Sequence, residues 1–197
     1  MSELRTGSPP APIARLETER TIVRTAVEAD VPAIVRYYTE NQEHLRPFDP
    51  ERPPYFYLES FWVRQVRQND EDYRLDRALR LFVFPRTEPE RVIGNIGFSN
   101  FVRGIGQYCT LGYSIDERFE GQGLMTESLR VAIDYAFREL RLHRIEANYM
   151  PHNRRSGRVL RRLGFVVEGY SRDYLRINGR WEDHIRTALL NPGRTSR

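Results

Sequence analysis

The chain has 197 residues, 40% of them hydrophobic and 29% charged, with a formal net charge of +4. This composition indicates one ordinary soluble domain, and the absence of any run of about 18 apolar residues excludes a membrane-spanning helix. The N-terminal segment MSELRTGSPPAPIARLETER lacks the apolar core of a signal peptide, so we expect a cytoplasmic protein.

The sequence contains no lysine, so all 31 basic side chains are arginines. Arginine binds phosphate groups through paired hydrogen bonds, but so small a net charge fits an anionic cofactor and a ribosomal surface equally. The single cysteine, Cys109, lies in a strand-like segment and is expected to act as a small apolar side chain. No metal site is expected, since the histidines share no ligand spacing; they are His44, His143, His152 and His184.

The first half of the chain predicts a tail, a strand and two helices. Residues 1–19 are rich in proline, serine and charge without periodicity, which is typical of a flexible tail. Alternation predicts a strand over 21–27. Apolar residues at helical spacing around Pro32 predict a helix, and a second helix is expected over 58–69.

The second half of the chain predicts several strands and two helices. The expected strands span 78–84, 91–101, 108–115, 143–150, 165–170 and 180–190, and the expected helices span 124–140 and 153–163. The sequence has no internal repeats, so this order predicts one mixed α/β domain over residues 20–190, followed by a tail over 191–197.

A glycine-containing turn, RFEGQGLM, precedes the helix predicted over 124–140. Gly121 and Gly123 open that helix, whose first N–H groups and positive dipole end favour a bound phosphate. The dinucleotide fingerprint needs a third glycine where Met125 and Thr126 stand, and the P-loop needs a Gly-Lys-Ser/Thr that the chain lacks. A plain tight turn explains the two glycines equally well.

The pattern Arg118-x-x-Gly121-x-Gly123 resembles the Gln/Arg-x-x-Gly-x-Gly/Ala signature of the GCN5-related N-acetyltransferase (GNAT) superfamily. Within that superfamily, the chain resembles ribosomal-protein alanine N-acetyltransferases of the RimJ type. The resemblance covers residues 95–189 most clearly, through SNFVRG, LGYSI, GLMTE, RIEANYMPHNRRSG, RLGFVVEGY, DYLRINGRW and DHIRTAL.

This resemblance implies an α/β fold with a central mixed sheet, mostly antiparallel, in which two neighbouring parallel strands splay between flanking helices. It also implies acetyl-CoA as cosubstrate, with its pyrophosphate on the glycine turn and its pantetheine arm bonded to the backbone of the splayed strand. The cofactor-binding residues that it implies are Tyr113, Ser114, Ile115, Arg118, Gly121, Gln122, Gly123, Leu124, Met125 and Asn153.

Two catalytic residues follow from the same resemblance. Asn153 is a good helix N-cap, and Ser156 falls on the apolar face of the helix predicted over 153–163. The resemblance makes Ser156 the general acid at the CoA sulfur, because Leu160 stands where many superfamily members have a tyrosine. An ordinary first-turn serine that bonds the backbone is the alternative.

Glu168 is the general base that the resemblance implies, acting through a water molecule. Strand alternation places it on one face with Val166 and Tyr170, and a surface ion pair with an arginine is the alternative. A mild base suffices for an α-amino group of pKa about 7.7 to 8, since roughly a tenth of it is neutral at pH 7.

The acceptor cleft of the family is lined by the segment that holds four further candidates, namely Tyr37, Tyr38, Asn41 and Glu43. Packing is the alternative for the two tyrosines. The expected function is transfer of an acetyl group to the N-terminal alanine of a protein, with a small-subunit ribosomal protein or the ribosome as partner, near ribosomal RNA and without a membrane. A small-molecule amine acetyltransferase and a non-catalytic ribosome- or RNA-binding module remain open alternatives.

Overall fold

The structure is a computed structural model that describes residues 15–194. Within these residues, eight strands form one sheet in the order β1-β2-β3-β4-β5-β6-β8-β7. Neighbouring strands are antiparallel except β5 and β6, which are parallel. The strands are β1 (Leu16–Glu17), β2 (Thr21–Arg24), β3 (Leu79–Pro85), β4 (Gly94–Val102), β5 (Tyr108–Ile115), β6 (Arg144–Tyr149), β7 (Val166–Ile177) and β8 (Arg180–Leu190). The predicted mixed, mostly antiparallel sheet is confirmed.

Helices cover both faces of this sheet. They are α1 (Val31–Glu40), α2 (Gln42–Leu45), α3 (Glu59–Arg74), α4 (Leu124–Arg138) and α5 (Arg154–Arg162). Leu129 of α4 and Leu160 of α5 share one core with Leu81, whereas Trp62 of α3 shares a second core with Phe82. Adjacent residues of β3 enter different cores because alternate side chains of a strand face opposite sides of a sheet.

The parallel strands β5 and β6 part after a short contact. Their pairing joins Tyr108–Thr110 with Arg144–Glu146 and goes no further. Beyond it, β5 remains paired with β4 as far as Ile115, and β6 remains paired with β8 as far as Tyr149. A wedge with an unpaired backbone edge on each side therefore opens in the middle of the sheet, as the resemblance implied.

Several predicted boundaries differ from the structure. The strand predicted over 21–27 ends at Arg24, because the Asp30 carboxylate accepts the N–H of Val27 at 2.8 Å and starts a helical turn. The second predicted helix continues to Arg74 rather than ending at residue 69. Strand β7 runs to Ile177, well past the predicted residue 170, because it pairs with β8 along a long hairpin.

Both predicted tails include residues that the fold holds in place. Strand β1 lies within the stretch predicted as an N-terminal tail and pairs with β2. Asn191 is buried, and its side-chain amide donates to the carbonyl oxygen of Leu142 at 3.0 Å. The remaining parts of the two tails, residues 1–14 and 195–197, lie outside the described residues.

Candidate active site

The glycine turn before α4 adopts a conformation that favours glycine. Gly121 and Gly123 have φ angles of 72° and 81°, and Gly123 is the N-cap of α4. L-residues avoid this left-handed region because Cβ approaches the backbone. Within residues 15–194, the N–H groups of Gly121, Gln122 and Gly123 donate no hydrogen bond to a protein acceptor. The turn therefore presents free donors next to the positive end of a helix.

One side chain from outside the turn and one from within it hold the turn in place. Arg20 of the β1–β2 connection donates to the carbonyl oxygen of Gln122 at 3.0 Å and binds the Glu127 carboxylate with its Nε at 2.8 Å. The Gln122 amide donates to the carbonyl oxygen of Arg118 at 2.9 Å. The backbone donors of the turn are therefore held in a fixed arrangement before any ligand arrives.

The Arg118 side chain is itself engaged within the protein. Its guanidinium binds Asp116 at 2.7 Å and also contacts Glu40 of α1. Burial alone would raise the pKa of Asp116, but the hydrogen bonds from Arg118 outweigh it and lower that pKa. In this structure Arg118 fixes the start of the turn and joins it to α1.

On the same face of the sheet, the N-terminus of α5 lies beside the wedge. The Asn153 side chain accepts the N–H of Ser156 at 3.1 Å, so the predicted N-cap is confirmed. The Ser156 hydroxyl is hydrogen-bonded to the Tyr113 hydroxyl at 2.9 Å. Burial raises the pKa of Tyr113 to about 12, so its phenol stays protonated. Sequence reasoning assigned Tyr113 a backbone role only, although its alternation with Leu111 already placed its side chain on this face.

A cavity of about 310 Å³ lies on the opposite face of the sheet, between α3 and strands β4 and β5. It reaches β5 at Gly112, Tyr113 and Ser114, which form part of the unpaired edge. The polar residues around it that the sequence did not single out are Asp49, Arg52, Gln65, Asn69, Asp72, Arg80, Asn95 and Ser99. They come from separate segments of the chain, so no local pattern could have indicated them.

Two of the four predicted acceptor residues lie at or beside this cavity. Tyr38 lines it, with its ring stacked on Trp62 at a centroid distance of 5.0 Å. The Tyr37 hydroxyl is hydrogen-bonded to Ser114 Oγ at 2.8 Å, directly behind the cavity wall. Burial raises the pKa of both phenols.

The other two predicted acceptor residues lie elsewhere. Asn41 is buried and bonds the carbonyl oxygen of Tyr37 at 2.9 Å and the N–H of Glu117 at 3.0 Å. It therefore ties α1 to the segment that leads into the glycine turn. The Glu43 side chain is 75% exposed and forms an ion pair with Arg46. Its contacts within residues 15–194 do not reach the cavity.

Glu168 belongs to a charged cluster on strands β6, β8 and β7. Arg144 donates to Glu168 with both terminal nitrogens, one of them at 2.8 Å, and donates its Nε to Glu146 at 2.9 Å. Arg186 also binds Glu146, at 3.1 Å. The hydrogen bonds from Arg144 lower the pKa of Glu168, so the carboxylate is ionised at neutral pH.

The prediction that Glu168 shares a strand face with Tyr170 is wrong. The pairing of β7 with β8 shifts register between Val167 and Gly169, and Glu168 is the extra residue at that irregularity. Strict alternation is therefore broken, and Glu168 does not share a face with Tyr170. Glu168 also lies on β7, which β8 separates from the wedge.

Cys109 is fully buried in the core, and burial raises the pKa of its thiol to about 12, so its expected role as a small apolar side chain is confirmed. Within residues 15–194, no three His, Cys, Asp or Glu side chains cluster closely enough to hold a metal ion. No helix in the same range has the length and apolar character needed to cross a bilayer.

Comparison with known proteins identifies the family. Residues 20–166 match the family model described as an acetyltransferase (GNAT) domain. The chain belongs to the GNAT acetyltransferase family. Its glycine turn, wedge and α5 N-terminus are thus parts of an acetyltransferase.

The relatives of this acetyltransferase include enzymes named for a ribosomal protein. It is 44% identical over 181 residues to the [ribosomal protein uS5]-alanine N-acetyltransferase of Escherichia coli K12, covering 92% of this chain and 93% of the relative. The ribosomal-protein-S5-alanine acetyltransferase of Vibrio fischeri has a similar structure, with a TM-score of 0.87, 36% identity and coverage of 91% and 98%. Mycobacterium smegmatis RimJ, solved with a CoA disulfide, gives a TM-score of 0.82, 26% identity and coverage of 89% and 84%.

Proposed function

We propose that this acetyltransferase transfers an acetyl group from acetyl-CoA to the α-amino group of the N-terminal alanine of a ribosomal protein. The unpaired edge of β5 is the observation on which this proposal rests. The glycine turn and Ser156 lie beside it on one face of the sheet, and the polar cavity lies on the other face. The names of the relatives from E. coli and V. fischeri support the choice of acceptor. The reaction is placed in the cytoplasm, where ribosomes present such termini.

The free donors of the glycine turn fit a pyrophosphate, because a helix N-terminus with unpaired N–H groups is a preformed anion site. The backbone edge of β5 fits the pantetheine amides, which can complete the hydrogen bonds that β6 does not supply. Arg118 holds the turn through Asp116, and Asn153 holds the N-terminus of α5. The residues assigned to acetyl-CoA are Tyr113, Ser114, Ile115, Arg118, Gly121, Gln122, Gly123, Leu124, Met125 and Asn153.

Acetyl-CoA supplies an acetyl thioester. The neutral amine of the acceptor forms the new C–N bond at the thioester carbonyl, the C–S bond breaks, and the departing sulfur needs a proton. Ser156 is assigned as the donor of that proton. Its hydroxyl is bonded to the phenol of Tyr113, which can replace the proton because burial keeps it protonated at neutral pH.

Glu168 is assigned as the base that receives the amine proton through water. It is ionised because Arg144 lowers its pKa, and the same contact makes it a weak base. A weak base suits an α-amino group, because deprotonation at pH 7 costs about 1 kcal/mol for an α-amine of pKa about 7.7 to 8 and about 4.6 kcal/mol for a lysine amine of pKa about 10.4. On the acceptor side, Tyr38 is assigned to the cavity wall, Tyr37 and Asn41 to its support, and Glu43 to its outer approach.

The test uses peptides with the first residues of several ribosomal proteins, set beside aminoglycosides, polyamines and free amino acids, with CoA release and mass spectrometry as readouts. We expect acetylation at the α-amine of alanine-led peptides and almost none at internal lysines. Turnover of a small amine without turnover of any alanine-led peptide would refute the protein acceptor. Salt-sensitive RNA binding with no CoA release from any amine would refute catalysis itself.

A further inference from the structure

Two glycines face each other on the floor of the cavity. Gly97 of β4 and Gly112 of β5 are direct partners in the antiparallel register, and both line the cavity. The neighbouring pairs on this face carry side chains, namely Asn95 with Ser114 and Ser99 with Thr110. The floor therefore has no side chain at the glycine pair, and polar side chains flank the pair on both sides.

The protein's own conformation does not require glycine at either position. Neither residue has a positive φ angle. A Cβ atom added to Gly112 would meet no described atom within 4 Å, and one added to Gly97 would meet only the Gly112 carbonyl oxygen at 3.9 Å and Arg80 Nη2 at 4.0 Å. Glycine weakens a strand interior, so a pair without a conformational or packing reason indicates close approach of another molecule.

The position of the glycine pair points to the acceptor. Gly112 adjoins Tyr113 and Ser114 at the unpaired β5 edge, where the pantetheine arm of acetyl-CoA is assigned. Arg80 lies at the opposite end of the pair and offers donors for a peptide carbonyl oxygen. Asp49 and Asp72 also line the cavity and offer carboxylates to an amine, although Arg52 and Arg80 balance their charge and Arg52 binds Asp49 at 2.9 Å.

We propose that Gly97 and Gly112 form the floor of the acceptor subsite, on which the first residue of the acceptor peptide lies. The space above Gly112 sets the upper size of that residue's side chain. This inference rests on the proposed function and adds to it the residues that select small N-terminal residues such as alanine and glycine.

The test compares peptides that differ only in their first residue, which is glycine, alanine or valine. In Gly112→Ala, the added methyl group occupies the space of the acceptor side chain. We expect kcat/KM for the alanine-led peptide to fall about tenfold or more relative to the glycine-led peptide. The Kd for acetyl-CoA should stay at the wild-type value, since the methyl group points into the cavity and away from the glycine turn.

Gly169→Ala is the matched control, because it adds a methyl group to another strand glycine whose Cβ would meet nothing within 4 Å and which lies outside the cavity. In this variant, the ratio of kcat/KM for the alanine-led peptide to kcat/KM for the glycine-led peptide should equal that of the wild type. An equal fall for both peptides in Gly112→Ala, or no fall, would overturn the floor proposal alone. If the wild type acetylates none of the peptides, the proposed acceptor is overturned with it. Should Gly112→Ala not fold, Gly97→Ala tests the same ratio.

Discussion

At the scale of single residues, the Ser156 hydroxyl, which is hydrogen-bonded to Tyr113, is the proposed proton donor to the leaving thiolate. Ser156→Ala should keep the affinity for acetyl-CoA and lower kcat by about 10² to 10⁴, because the lost proton donor acts on the transition state. Calorimetry and saturated turnover with an alanine-led peptide measure the two effects. The control is Ser60→Ala, which removes an exposed first-turn serine of α3. Unchanged turnover in Ser156→Ala would make this serine a purely structural residue.

Glu168 is the proposed base, so the effect of its loss should depend on pH. Glu168→Gln should slow acetylation most near pH 7 and least above pH about 8, where the acceptor amine is already neutral. The lowered pKa keeps this carboxylate ionised throughout that range, so the rising limb of the wild-type profile belongs to the amine. The ion pair with Arg144 likewise stabilises the fold above the unfolded pKa of Glu168, and this contribution is lost only as pH falls through the lower folded pKa.

Glu28→Gln is the matched control for this profile. Glu28 forms an exposed ion pair with Arg67 at 2.7 Å, and the hydrogen bond from that arginine lowers its pKa as Arg144 does for Glu168. It lies away from the wedge and the cavity, so its loss should leave the pH–rate profile unchanged. Identical profiles for the two variants would remove Glu168 from the mechanism.

At the scale of elements, the glycine turn combines a left-handed backbone conformation with the proposed pyrophosphate site, and two substitutions separate the two requirements. Gly121→Ala and Gly121→Asp both place a side chain at a φ angle of 72°, at a cost of about 1 kcal/mol. Only aspartate adds negative charge where the pyrophosphate is assigned. We expect the Kd for acetyl-CoA to rise at least about fivefold more in the aspartate variant. Equal Kd values, measured by calorimetry, would place the pyrophosphate elsewhere.

Helix α5 depends on its cap. Asn153→Ala removes the acceptor for the N–H of Ser156 and should lower the free energy of unfolding by about 1 kcal/mol in urea titrations. Asn153→Ser keeps a capping oxygen and should restore most of that stability. A serine variant as unstable as the alanine variant would show that Asn153 acts by something other than capping.

At the scale of the whole molecule, local patterns predicted most of the sheet and helices but little of the acceptor side. The helical period of α4 and the alternation of β5 can be read from short segments of sequence, so both elements were predicted and Leu129 lies in the core as expected. The cavity joins Asp49, Asp72 and Gly112, whose proximity depends on long-range packing. The irregularity at Glu168 depends on its pairing with β8, which alternation within one strand cannot reveal.

Binding of the assigned cofactor should also stabilise the whole fold. A ligand that binds only the folded state stabilises it by RT ln(1 + [L]/Kd), which is about 2.7 kcal/mol at 100 times Kd. Acetyl-CoA should therefore raise the melting temperature of the wild type in a concentration-dependent manner and raise that of Gly121→Asp much less. A wild-type melting temperature that does not respond to acetyl-CoA would contradict the assignment.

The wedge between β5 and β6 also bears on how the protein avoids aggregation. Unpaired strand edges invite other chains to add to a sheet, yet the unpaired stretches of the wedge, 111–115 of β5 and 147–149 of β6, face each other inside the sheet. Of the two outer edges, β1 is only two residues long. The other, β7, has register shifts near Glu168 and between Ser171 and Leu175, which bend it away from a flat template. The unpaired backbone of the wedge is thus enclosed by the sheet, and the two outer edges offer a second protein chain little straight backbone to join.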